Sequence, residues 1–165
     1  RHSAVRPGGV TATFMAHGRS SFMSDQKQTE ALSDVTRAVM GLLDSWQLDT
    51  QEIQGVLCLP ENVRVRALNK FREGTDVLPD DPTVLRRARY LLRISDALRT
   101  TYPLNPRMSG RWVRQAHRRF GRRSPLSIIL RDGESGLIAV LSELDCTFSW
   151  DLTGSRPMGY RPTQS

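Results

Sequence analysis

The sequence predicts an all-α protein. Apolar residues recur at three- and four-residue spacing in successive stretches, the mark of helices with one buried face. Helix-start signals precede those stretches: Ser33, Asp49 with Glu52, Pro60, Asp81-Pro82 and Ser124-Pro125. Glycines and prolines punctuate the gaps, at Gly74, Pro103, Pro106 and Gly110.

Residues 1–30 show no apolar period and are rich in Gly, Ser, Arg and Gln, so they read as disordered. Met15 and Met23 both qualify as natural starts. Order is expected from Ser33, a good N-cap. Val35, Ala38, Val39, Leu42, Leu43 and Trp46 then make an amphipathic first helix. Asp49 and Glu52 match a capping box for a short helix that buries Ile53, Val56 and Leu57. Cys58-Leu59 turns the chain, and Pro60 suits the first position of a third helix, ending at Gly74. Val63, Ala67, Leu68 and Phe71 form its inner side.

Three helices with a tight turn between the last two is a helix-turn-helix pattern, placed in residues 31–80. The outward face of the third helix offers Asn62, Val65, Arg66 and Asn69, with Arg64 on the flank and Lys70 beside them. Asn and Arg make bidentate contacts to adenine and guanine, and a flanking cation suits phosphate. The competing reading is a solvated helix in a three-helix core.

A connecting helix over 81–103 opens at Asp81-Pro82. It buries Val84, Ala88, Leu91, Ser95 and Leu98, with Leu85 and Leu92 widening the stripe, and stops before Pro103. It would act as a spine or a dimer seam. Residues 104–152 form a second helical unit built around Trp112–Leu126. Ser124-Pro125 opens a helix with Leu126, Ile129 and Leu130. A glycine-rich turn at 132–136 leads to a final short helix with Leu137, Val140, Leu141 and Leu144. Phe148 and Trp150 are expected in an extended lid, and 153–165 is read as a flexible tail.

The formal charge is +7, and Lys27 and Lys70 are the only lysines. Such a balance favours polyanions or an acidic protein partner. The charge concentrates between 107 and 131, which holds Arg107, Arg111, Arg114, Arg118, Arg119, Arg122, Arg123 and Arg131 and no acid. A charge run is often only a solvated face; Trp and Arg are also the types enriched at binding hot spots. Trp112 is read as a core residue and Phe120 as core or contact.

Cys58 and Cys146 stand far apart without metal-ligand spacing and are read as reduced, buried thiols; no metal is expected. No nucleophile–base order, carboxylate pair or phosphate loop is found, so no catalytic residue, no cofactor and no enzyme activity are expected. With no bilayer-length apolar run and no apolar signal core, no membrane association is expected, and the cytoplasm is the expected location.

Four blocks, in order along 33–152, resemble the Xre/MbcA/ParS antitoxin family. They are the helix-turn-helix with Leu57-Cys58-Leu59-Pro60, the helix from Val84 to Arg99 closed by Tyr102-Pro103, Arg111-Trp112-Val113 with Phe120 to Leu126, and Gly136 to Leu141. The family usually carries Gly-Gly where this chain has Gly121-Arg122, and Pro-Asn where it has Ala116-His117. The resemblance implies an Xre-like helix-turn-helix bundle joined by a long helix to a small helical toxin-binding domain. It implies an antitoxin that neutralises a RES-domain toxin, an enzyme consuming NAD or transferring ADP-ribose. The toxin-binding residues would be Arg111, Arg119, Phe120, Gly121, Arg122, Arg123 and Ser124, with Arg156 and Tyr160 from the tail. Such proteins often bind their own operator as homodimers, here through Asn62, Arg64, Arg66, Asn69 and Lys70. The alternative is a helix-turn-helix transcriptional regulator whose main ligand is DNA.

Overall fold

The structure, a computed structural model, describes residues 16–153, with side-chain surroundings for 21–145. Every regular element among the described residues is helical: α1 (Ala16–Ser45), α2 (Thr50–Leu57), α3 (Val65–Glu73), α4 (Pro82–Thr101), α5 (Arg107–Arg114), a 3-10 turn (Arg118–Phe120), α6 (Pro125–Asp132) and α7 (Glu134–Thr153).

Helix α1 starts well before Ser33, so 16–30 is helical where disorder was expected. Gln26, Lys27, Gln28, Glu30 and Ala31 all favour helix, and extending an existing helix avoids the cost of nucleation. Residues 21–31 are exposed throughout; burial begins in the second half, at Thr36, Val39, Met40, Leu43 and Trp46. Thr36 is the buried polar residue of this stripe. Its hydroxyl donates to the Leu32 carbonyl (2.7 Å) and accepts from the Leu78 amide (3.0 Å), tying α1 to the segment ahead of α4.

The ends of α1, α2 and α3 share one device. A residue in the left-handed region stops each helix: Gln47 (φ 58°), Cys58 (φ 56°) and Gly74 (φ 76°). The next amide reaches back to close the turn, Leu48 to Leu43 (3.2 Å), Leu59 to Gln54 (3.0 Å) and Thr75 to Lys70 (3.0 Å). Leu48 and Leu59 are thereby driven into the core. Cys58 points outward and is free and exposed, not buried as expected, because the reversal puts Leu57 and Leu59 inside instead.

The expected capping box on α2 is present, with Glu52 N to Asp49 Oδ1 at 2.8 Å and Asp49 N to Glu52 Oε1 at 3.1 Å. Helix α3 begins at Val65, not at Pro60. Pro60 opens a turn whose carbonyl accepts from Val63 N (3.0 Å), and Arg64 then serves as N-cap. Asn62 therefore lies in the turn and not on the helix. The connection 58–64 is longer than the three to four residues typical of a helix-turn-helix. Helix α3 packs mainly on α1, while α2 packs on α4 and α6; Gln54 Nε2, donating to the Val63 carbonyl, links α2 to the turn.

Asp81 caps α4 through Thr83 N (2.8 Å) and Val84 N (3.3 Å). Its buried stripe is Val84, Ala88, Leu91, Ile94 and Leu98; Ile94 takes the place expected for Ser95, which is only half-buried. The helix is not a spine between two units. It packs on α1, α2, α5 and α7, and the buried side chains from α1 to α7 form one continuous cluster. Residues 31–80 and 104–152 thus share a core, since every helix has only one apolar face and α4 covers several of them.

Helices α6 and α7 meet across Gly133 alone, so the expected turn at 132–136 is compressed. Gly136, inside α7, lies against α6 so closely that a Cβ would stand 2.5 Å from the Ile128 carbonyl oxygen. Helix α7 continues to Thr153, which makes the segment holding Phe148 and Trp150 helical and not an extended lid. Arg86 and Glu134 (3.1 Å) join α4 to α7 at the surface, a pair worth about 0–1 kcal/mol. No helix among the described residues is long and apolar enough to cross a membrane. The tail from 154 lies outside the described residues.

Candidate functional site

Val113, fully buried, anchors α5 to the core and fixes where the arginine-rich stretch leaves it. The helix ends at Gln115, whose amide donates to the Arg111 carbonyl (3.0 Å). His117 is extended, Arg118–Phe120 make a single 3-10 turn, and Gly121 and Arg122 both take left-handed backbone angles, φ 61° and 62°. Consecutive left-handed residues make a type I′ turn, closed here by Arg123 N to Phe120 O at 3.2 Å. An isolated antiparallel bridge joins His117 to Arg123.

Most amides of this turn are spent within it. His117 N donates to Arg123 O, Phe120 N and Arg122 N to His117 O, and Gly121 N to Arg118 O. Three rings hold it from below. Trp112 and His117 lie 5.0 Å apart, and Phe120 stands edge-on to both, at 6.0 and 6.2 Å. These are favourable aromatic separations. His117 Nε2 donates to the Trp112 carbonyl (2.8 Å), so that nitrogen carries a hydrogen. Trp112 is half-buried against the core, where full burial was expected.

The predicted toxin-binding residues divide by what they do. Arg119, Gly121 and Arg122 are exposed on the turn. Arg119 is engaged within the chain. Phe120 is half-buried in the ring cluster. Ser124 caps α6, accepting from Ser127 N (3.1 Å). Arg123 pairs with Asp132 (3.6 Å) and has Nε and Nη2 buried without partners. Arg111 is exposed in a different place, an open groove of about 1170 Å³ between the end of α1 and α5 that also holds Arg107. Arg156 and Tyr160 lie outside the described residues.

Arg114 was not singled out from sequence, yet it clamps the end of α1. Its Nε donates to Trp46 O (3.0 Å), and its Nη2 reaches Gln47 O and Glu52 Oε1 (3.3 Å). Such long-range partners leave no local signal. Arg118 is also exposed on the turn, beside a cleft of about 360 Å³ where the end of α4 and the middle of α7 meet the ring cluster.

The residues expected to meet DNA are all exposed: Asn62 in the turn, Arg64 at the N-cap of α3, and Arg66, Asn69 and Lys70 on the helix. Asn69 Oδ1 accepts from Arg72 Nη1 (2.9 Å), and Arg72 in turn forks onto Asp44 (3.0 Å). Val65, 53% exposed, sits at the start of this helix.

Comparison with family models, curated proteins and solved structures finds no match to the chain.

Proposed function

We propose that the chain is the antitoxin of a type II toxin–antitoxin pair. It binds and neutralises a RES-domain toxin, NAD-consuming or ADP-ribosylating, and the 117–123 turn is its main contact. The observation that carries this reading is Arg122. A long cationic side chain stands in a left-handed conformation at an exposed turn, where glycine would fit without strain. Backbone strain of this kind concentrates at functional sites. Its surroundings support the reading: an acid-free run of arginines, a rigid ring platform and amides already spent, so that side chains do the recognition. A cytoplasmic location and a homodimer belong to the same proposal.

The test is co-expression with the RES-like protein encoded beside it. Growth should be rescued and a complex should purify. Arg122→Glu should weaken that complex by at least about tenfold, since like charges at a complementary contact cost several kcal/mol. Rescue that is indifferent to Arg122→Glu would remove the turn from the interface.

A second reading, a helix-turn-helix regulator with DNA as main ligand, is favoured by Arg64, Arg66 and Lys70. Their side chains are exposed and have no hydrogen bond or ion pair within the described residues. The longer 58–64 connection and the weak pairing of α2 with α3 rank it below toxin binding. Binding that discriminates an operator and falls steeply with salt would raise it; sequence-blind binding would leave only a basic surface.

A further inference from the structure

We propose that the cleft between the end of α4, the middle of α7 and the ring cluster anchors one aromatic side chain carried on an acidic segment of the protein partner. This rests on the protein-binding reading above and names the chemistry of the partner at that site.

The cleft has a volume of about 360 Å³, and Thr101, Tyr102, Trp112, Phe120 and Leu144 form most of its wall. Rings and hydrocarbon thus make part of the wall, and His117, Arg118, Arg119 and Glu143 add polar and charged groups to it. The rings already present stand 5.0–6.2 Å apart in tilted and edge-on arrangements, the geometry that a further ring would continue. Arg118 is at the rim, exposed, its side chain with no hydrogen bond or ion pair within the described residues, and Arg122 is exposed on the same turn. Arg119 and Glu143, which also line the cleft, are both engaged within the chain. The uncommitted charge around an apolar hollow is thus positive, and its complement is an apolar ring flanked by carboxylates. A buried ring surrounded by paired charges is the common form of an interface hot spot.

A nucleotide is the other planar anion that rings and arginines attract. Two features favour the protein. Phosphate sites draw on runs of free backbone amides, and most amides of the 117–123 turn, those of His117, Phe120, Gly121, Arg122 and Arg123, already donate within it. The rings pair edge-on or tilted with one another, so none of the three forms one of two parallel plates that would sandwich a base.

The test is an amide-resolved NMR titration of the full chain with four probes: the capped peptide Glu-Asp-Phe-Asp-Glu, its Glu-Asp-Ala-Asp-Glu and Lys-Lys-Phe-Lys-Lys counterparts, and adenosine monophosphate. The first should give saturable shifts at Thr101, Leu144 and the Trp112 indole, and the two counterparts should not. Thr101→Trp, a change at an exposed position that fills the cleft, should abolish the shifts, while Thr101→Ser should retain them. The same Thr101→Trp variant should bind the toxin at least about tenfold more weakly, 1.4 kcal/mol. No response to the acidic phenylalanine peptide, an equal response to the basic one, or a response to the nucleotide alone overturns the proposal. Toxin binding that Thr101→Trp leaves unchanged overturns it too, while sparing the antitoxin reading. Peptide shifts at the cleft without any toxin complex would support the anchor and remove the antitoxin reading.

Discussion

Replacing Arg122 by glycine should make the protein more stable and a poorer binder. An L-residue in the left-handed region costs about 1–2 kcal/mol. Glycine removes that cost but adds unfolded-chain entropy worth about 0.4–1 kcal/mol. The Arg122 side chain makes no hydrogen bond or ion pair within the described residues, so no such contact is lost. The difference leaves Arg122→Gly more stable by about 0–1.6 kcal/mol, with a centre of about 0.8 kcal/mol. For a chain of 165 residues that central value raises Tm by about 2–3 °C. Gly121→Ala is the mirror experiment. Nothing lies within 4 Å of a Cβ at Gly121, so the change carries only the conformational penalty, with a loss of about 1 kcal/mol or more. Both variants are read by thermal and urea unfolding. A lower midpoint for Arg122→Gly, or an unchanged one for Gly121→Ala, would refute the paired left-handed turn.

Three further outcomes follow from the packing and the exposed cations. Thr36→Val keeps the shape of the side chain but leaves the buried Leu78 amide without its acceptor, and urea unfolding should show a loss of about 1–3 kcal/mol. Gly136→Ala forces a Cβ to within 2.5 Å of the Ile128 oxygen, where backbone must move, and should destabilise the α6–α7 contact by about 3 kcal/mol or more in the same assay. If the α3 face meets an operator, Arg64→Ala should lower the slope of log K against log salt by about 1 without changing sequence preference, whereas Arg66→Ala should relax that preference.

Much of the fold was legible in the sequence because its signals are local. The Asp49–Glu52 box, the Asp81 cap and the Ser124-Pro125 start each depend on residues within one turn, and each forms as read. Helix ends were harder. Gln47 and Cys58 close α1 and α2 in a conformation usually given to glycine, and the buried leucine that follows each is the only trace they leave. The early start of α1 was hidden because residues 21–31 bury nothing and so have no period to detect. The shared core was hidden for a related reason. Periodicity shows that α4 has an apolar face but not that α1, α2, α5 and α7 all converge on it.

At the candidate site the sequence located the stretch but not the roles within it. Phe120, Arg123 and Ser124 resemble contacts in sequence, yet each is held by a neighbour: the ring cluster, Asp132 and Ser127. Arg118 and Arg122 differ from Arg123 only in where the turn points them. The left-handed angle at Arg122 leaves no mark in residue type. The cleft joins Thr101 and Tyr102 to Glu143 and Leu144, a juxtaposition set by how α4 and α7 pack.

Toxin binding by the exposed arginines of the 117–123 turn is the heart of the proposal. Calorimetric titration of the full chain into a RES-domain toxin tests it most directly, with wild type and Arg122→Glu compared at one salt concentration. A saturable complex is expected for the wild type and at least about tenfold weaker binding for the variant. Equal affinity for the two chains would contradict it.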